Sequence, residues 1–222
     1  MIEIRALDFR YREGDFRLRV PELRIERGSK VALIGPSGSG KTTLLHLVAG
    51  ILVPSAGRVA VNDVQVDGLG DAARRSFRIA NVGFVFQDFE LVEYLSVLDN
   101  IVHPYRLNGA LRLTAEVRAR AVALAREVGI EDKLARSVTR LSQGEKQRVA
   151  ICRALLTRPP VLLADEATGN LDPANKSVVL RILLDYVERA GAALLAATHD
   201  HELLGDFDRV IDFRDFARGG AA

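Results

Sequence analysis

Residues 35–43 read Gly35-Pro36-Ser37-Gly38-Ser39-Gly40-Lys41-Thr42-Thr43 and follow a short apolar run, Val31-Ala-Leu-Ile34. A glycine, four residues, then Gly-Lys-Thr is the spacing of a loop that cradles phosphate between a buried strand and a helix. Glycines at 35, 38 and 40 let backbone N–H groups converge on an anion. The helix that begins near Lys41 and runs through Leu44-Leu-His-Leu-Val-Ala49 adds its positive dipole end. The Lys41 ammonium can reach β- and γ-phosphates, and the Thr42 hydroxyl is placed to ligate Mg²⁺. A Gly/Ser surface loop is the bland alternative, and the strand before and helix after weigh against it. The expected ligand is a nucleoside triphosphate.

Two further apolar runs end in chemistry. Val161-Leu-Leu-Ala-Asp165-Glu166 reads as a buried strand closing on two carboxylates, and parallel strands present ligands at their C-terminal ends. Asp165 can hold Mg²⁺ through water, and Glu166 can polarise an attacking water. Ala192-Ala-Leu-Leu-Ala-Ala-Thr198-His199 ends in an imidazole able to donate to a γ-phosphate or orient water. Gln87 closes the run Phe84-Val-Phe86 and could touch both metal and water. The metal set is thus Thr42, Gln87 and Asp165, and the catalytic set Glu166, His199 and Gln87.

Leu141-Ser142-Gln143-Gly144-Glu145 precedes Lys-Gln-Arg-Val-Ala-Ile-Cys-Arg-Ala-Leu155. Ser142 and Gly144 at a helix start make a second anion grip. An ordinary cap with a glutamate three residues on is the plain alternative.

The elements that must position these groups follow from periodicity. Ile2–Phe9, Phe16–Val20 and Leu23–Ile25 alternate like strands around a Gly14-Asp15 turn, an antiparallel N-terminal portion. Strands are expected at 58–61, 81–86, 161–164, 192–197 and 209–212, with a short polar helix near 71–78. From 88 to about 141 the texture is helical, including Thr114–Val128 with a Thr cap and Gly129 as a stop. Helices are also expected at 144–156 and 173–189. Apolar runs alternating with helices describe an α/β fold with a parallel sheet covered on both faces. The expected organisation is one domain over 1–216, its helical lobe at about 88–141 inserted in the core, and a frayed tail at 217–222.

The chain has 222 residues, 48% of them apolar, enough for one large domain. Its 31 Lys and Arg nearly balance 29 Asp and Glu, so no general field draws nucleic acid onto it. A lone Cys152 on an apolar helix reads as a small core side chain. No apolar run approaches the ~20 residues needed to span a bilayer, and the strand-like start argues against a signal peptide. A membrane role would therefore come through a partner.

In this order, the loop 35–43, Gln87, the segment 141–145, Asp165-Glu166 and His199 resemble the nucleotide-binding subunit of ABC transporters over nearly the whole chain. The resemblance implies a phosphate-loop NTPase core, ATP and Mg²⁺ as ligands, ATP hydrolysis, and Tyr11 stacked on adenine. It also implies a head-to-tail homodimer in which 141–145 of one subunit cap ATP on the other's phosphate loop, with Asp172 near the interface. Thr168-Gly-Asn-Leu-Asp172 is similar to the lipoprotein-releasing, macrolide-export and cell-division group. Gln143 stands where the family usually has Gly, and Glu145 where it has Gln. The implied partner is an integral-membrane permease holding the ATPase at the inner face of the cell membrane. The alternative is a signalling complex that regulates a cell-wall hydrolase. Phe89, Leu91, Tyr94, Leu95 and Val97 form either a groove for a permease helix or the core of the helical lobe.

Overall fold

A computed structural model describes residues 1–169 and 171–217, apart from the side chains at 174, 215 and 217. Asn170 of the 168–172 segment and most of the expected tail lie outside the described residues.

β1 (Ile2–Arg10), β2 (Arg17–Ile25), β4 (Ala56–Val61) and β5 (Val64–Gln65) form an antiparallel sheet in the order β2-β1-β4-β5. The two strand segments expected at 16–20 and 23–25 are one strand running through Pro21. β2 is an edge, so the missing Pro21 N–H costs no ladder bond, and the pairing skips Ala6 opposite it.

β3 (Lys30–Ile34), β6 (Val82–Val85), β7 (Val161–Asp165), β8 (Ala193–Ala197) and β9 (Arg209–Asp212) form a second sheet, parallel throughout, in the order β6-β7-β8-β3-β9. Every residue of β6, β7 and β8 is buried, as a sheet covered on both faces requires. The helices are α1 (Lys41–Val48), α2 (Asp71–Asn81), α3 (Val97–Val102), α4 (Pro104–Leu107), α5 (Ala115–Glu127), α6 (Gln143–Leu155), α7 (Pro173–Ala190) and α8 (Arg214–Ala217).

Three apolar clusters hold these elements. The first joins the antiparallel sheet and α1 to one face of the parallel sheet. The second packs α6 and α7 on the other face. The third gathers α3, α5 and the remaining side of α6, and includes Cys152, whose thiol burial pushes up to about 12. A thiol so protonated is a packing group, as the sequence led us to expect.

Two local expectations give way. Asn81 ends α2 rather than opening β6, its side-chain amide donating to the Phe77 carbonyl at 3.0 Å. Residues 88–96 are irregular rather than helical. Their backbone is served by the fully buried Asn100 side chain, which accepts from the Val92 N–H at 2.8 Å and donates to the carbonyls of Val92 and Ser96, each at 3.0 Å. One amide thereby replaces the bonds a helix would have made. α5 starts and stops as its residues dictate: Thr114 accepts from the Val117 N–H, and Gly129 follows with φ 75°.

Candidate active site

β7, β8 and β3 are neighbours, and their register sets Asp165, Ala197 and Leu33 level with one another. Beyond that level the Glu166 N–H donates to the Ala197 carbonyl at 2.9 Å, and the Thr198 N–H to the Leu33 carbonyl at 3.0 Å. The phosphate-loop segment, the carboxylate pair and His199 therefore leave the sheet side by side, at the C-terminal edge where α/β sheets place their chemistry. An open cleft of about 500 Å³ lies there, lined by Tyr11, Phe16, Ser37, Gly38, Gly40, Lys41, Thr42, Thr43, Gln87 and Glu166.

The loop is shaped by glycine where nothing larger fits. Gly40 has φ 105°, and a Cβ on it would lie 2.9 Å from the Phe16 ring. At the other end the Phe213 N–H donates to the Ile34 carbonyl at 2.8 Å, setting the Phe213 Cβ 3.0 Å from where a Cβ on Gly35 would lie and its fully buried ring against Gly40. Lys41 Nζ donates to the Gly35 carbonyl at 2.7 Å and the Pro36 carbonyl at 3.1 Å, which holds the ammonium over the loop. Ser39 Oγ is buried with no hydrogen-bond partner among the described residues, a group whose demand a phosphate oxygen would meet.

Asp165 is almost fully buried, and burial pushes its carboxyl above the usual aspartate range, against a hydrogen bond from Thr42 that favours the charged form. Thr42 and Asp165 thus stand together as an oxygen pair suited to a hard cation, with Gln87 on the same cleft wall. Glu166 adopts φ 46°, a left-handed conformation that costs a non-glycine residue energy and turns its side chain into the cleft. Its Oε2 lies 3.4 Å from His199 Nδ1. The turn behind His199 is fixed by the Asp200 N–H, which donates to Thr198 Oγ1 at 3.0 Å, and by a 2.7 Å ion pair between Lys176 and Asp200. That bond holds the Asp200 carboxyl below its ordinary range.

Tyr11 is 43% exposed, its ring edge-on to Phe9 at 4.9 Å and tilted against Phe16 at 5.6 Å. The ring therefore forms a half-open wall of the cleft.

Residues 142–145 are not on this cleft. Ser142 caps α6 by accepting from the Glu145 N–H at 3.3 Å, while the Glu145 carboxylate accepts from the Ser142 N–H at 2.8 Å. This reciprocal box is the plain cap reading realised within one chain. Lys133 sits 3.3 Å from Glu145 and helps hold its carboxyl below the usual glutamate range. Gly144 is buried against α7, where a Cβ would come within 3.1 Å of the Asn175 side chain. Asn175 accepts from Arg148 at 2.7 Å and donates to Asp172 at 2.6 Å, tying α6 to the start of α7.

The sequence did not single out Phe16, Phe213, Asn175 or Lys176. Each acts through a contact distant in the chain, and none carries a local signature. The apolar stretch after Gln87 divides in two. Val97 and Leu91 belong to the third cluster, while Tyr94 is 88% exposed. A largely apolar groove of about 400 Å³ is instead lined by Arg75, Arg78, Phe84, Phe86, His103, Pro104, Leu107 and Arg153, and takes only Glu90 and Val92 from the stretch after Gln87.

Residues 18–169, more than half of the chain, match the family model described as ABC transporter. The chain belongs to the ABC transporter ATPase family. As an ABC-type ATP hydrolase it is 44% identical over 194 residues to the lipoprotein-releasing system ATP-binding protein LolD of Cereibacter sphaeroides, covering 87% of this chain and 86% of the relative. It is 46% identical over 203 residues to LolD of Ruegeria pomeroyi, covering 91% and 88%. Among solved structures the cassette resembles a dimeric post-hydrolysis state of the ATP-binding cassette MJ0796 bound to ADP and Pi, with TM-score 0.86 and 30% identity over 96% of this chain and 94% of that one. Among the described residues no helix of this cassette is long and apolar enough to cross a membrane.

Proposed function

We propose that this ATPase is the energising subunit of a membrane permease of export or extraction type, working through ATP-driven closure of two copies. One observation carries the reading: Lys41, Thr42, Gln87 and Glu166 face a single cleft, while the capped start of α6 is turned elsewhere. A site split in this way is complete only when a second copy brings its residues 142–145 to the first copy's nucleotide.

In this scheme Gly35, Pro36, Ser37, Gly38, Ser39, Gly40, Lys41, Thr42 and Thr43 hold the phosphates, and Tyr11 offers its ring to the adenine. Thr42, Asp165 and Gln87 would hold Mg²⁺, which offsets phosphate charge when bound. Glu166 accepts the proton of the attacking water, and His199, beside it, orients the water or donates to the γ-phosphate. Hydrolysis removes the phosphate that bridges the copies, and the pair opens. The names of the LolD relatives and the dimeric MJ0796 cassette support this assembly.

The groove between α2 and α4 suits an amphipathic permease helix, with Phe84 and Phe86 as apolar floor and the exposed Arg75 and Leu107 at its rim. The permease would hold the ATPase at the cytoplasmic face of the membrane.

Glu166→Gln tests the core of the reading by size-exclusion chromatography with ATP. The expected outcome is an ATP-bound dimer that persists, dispersed by adding Ser142→Arg. An ATP-loaded Glu166→Gln protein that stays monomeric would sink the two-copy scheme.

A further inference from the structure

Gln87 leaves β6 on a turn whose far side is strained. The Phe89 N–H donates to the Phe86 carbonyl at 3.3 Å, so Gln87 and Asp88 form the corners of the turn. The next two residues, Phe89 (φ 62°) and Glu90 (φ 49°), are both left-handed. Side chains with a Cβ rarely adopt that conformation singly, and consecutive cases persist only when the surroundings impose it. The Glu90 N–H donates to the Asp88 carbonyl at 2.7 Å, closing the turn over Phe89, and one distant side chain grips it from outside. Arg153, on α6 and more than sixty residues away in the chain, donates Nη2 to the Phe89 carbonyl at 2.6 Å and Nη1 to the Glu90 carbonyl. The two successive carbonyls both lie within reach of one guanidinium, whose planar two-pronged face can hold them together. The guanidinium is itself taken largely out of water, and burial lowers its pKa to about 10. That cost is sustained for a fork aimed at two backbone carbonyls.

We infer that Arg153 is a positioning residue for the hydrolytic reaction: its guanidinium clamps the left-handed pair Phe89-Glu90 and thereby holds Gln87 in the nucleotide cleft. The inference rests on the reading that Gln87 serves the ATP chemistry. Without the clamp the two residues relax to ordinary backbone conformations, the turn opens, and Gln87 leaves the wall it shares with Thr42 and Glu166. Phosphate binding by the loop 35–43 is untouched, because none of its contacts involves the turn.

The test uses the full-length chain. Arg153→Met, Arg153→Lys, Gln87→Ala and the double variant Gln87→Ala/Arg153→Met are measured for melting temperature, fluorescent ATP-analogue affinity without Mg²⁺, and ATPase kcat, KM and half-activating Mg²⁺ concentration. The inference expects about a tenfold fall in kcat and a several-fold rise in the Mg²⁺ requirement for both Arg153 variants, with Mg²⁺-free analogue affinity within twofold of wild type. Lysine keeps the charge and loses the fork, so Arg153→Lys carries the test should Arg153→Met not fold. The double variant should be no slower than Gln87→Ala alone. Glycine takes the left-handed conformation freely, so Phe89→Gly/Glu90→Gly on the Arg153→Lys background should restore at least half of the lost kcat. Unchanged kcat in the Arg153 variants, losses that multiply with Gln87→Ala, or no recovery with the glycines would each overturn it. A Gln87→Ala enzyme with normal kcat and Mg²⁺ dependence refutes instead the role given to Gln87, and a slow Arg153 variant beside it refutes the clamp as well.

Discussion

His199 Nδ1 lies 3.4 Å from Glu166 Oε2, a pairing across the ends of adjacent strands that neither residue's own segment could produce. A carboxylate and an imidazole at that separation can share one water. On the proposed role of Glu166 as base, Glu166→Gln should lower kcat by about 10²–10⁴-fold. His199→Ala should cost less, about tenfold, and the double variant should be no slower than Glu166→Gln, because the two act as a unit. Steady-state phosphate release measures all three.

Lys41→Ala acts on affinity. Its ammonium is held over the loop by two backbone carbonyls, and hydrogen bonds to charged groups contribute about 1.5–3 kcal/mol. Nucleotide should bind about 10–100-fold more weakly, read by fluorescence titration. An unchanged dissociation constant would remove Lys41 from phosphate contact.

Tyr11 has two separable parts. Its hydroxyl lies 3.0 Å from Thr43 Oγ1, and its ring faces the cleft. Tyr11→Phe keeps the ring and should leave ATP affinity within twofold. Tyr11→Ala removes a stacking surface worth about 1–3 kcal/mol and should weaken ATP and GTP alike. Equal loss in both variants would place the hydroxyl, not the ring, in charge.

Asp165 gives a prediction about pH. Its folded pKa stands above the ordinary 3.8, so the folded chain binds this proton more tightly than the unfolded chain. Stability from this group is therefore present at low pH and lost as pH rises through the window between 3.8 and the raised value. Asp165→Asn imitates the protonated form. At pH 7 the variant should melt a few degrees higher than wild type while its Mg²⁺-dependent ATPase collapses, and that stretch of the pH–stability curve should flatten. A variant that melts lower at pH 7 would contradict the burial cost.

The sites at strand ends were legible because their chemistry is local. An apolar run followed by Asp165-Glu166 or by Thr198-His199 announces both a strand and what its end presents. Parallel pairing then had to bring those ends together. The shape of the phosphate loop was not legible in the same way, since Phe16, just before β2, and Phe213, just after β9, reach Gly40 and Gly35 from distant parts of the chain. The stretch 89–97 misled for a related reason. Its apolar residues satisfy a groove and a core equally on paper, and the backbone of the stretch is set by the side chains of Asn100 and Arg153, which come from outside it. Pro21 interrupted one strand in the sequence because a proline's tolerance depends on whether the strand has a second neighbour.

The reciprocal bonds between Ser142 and Glu145 set the start of α6 within one chain, with no contribution from a second copy. In the proposed two-copy scheme a second subunit would meet a rigid template rather than a floppy segment, with little ordering entropy left to be spent at the moment of contact. Dimer lifetime should accordingly follow the nucleotide's own bonds, giving an engine whose timing is dictated by its fuel.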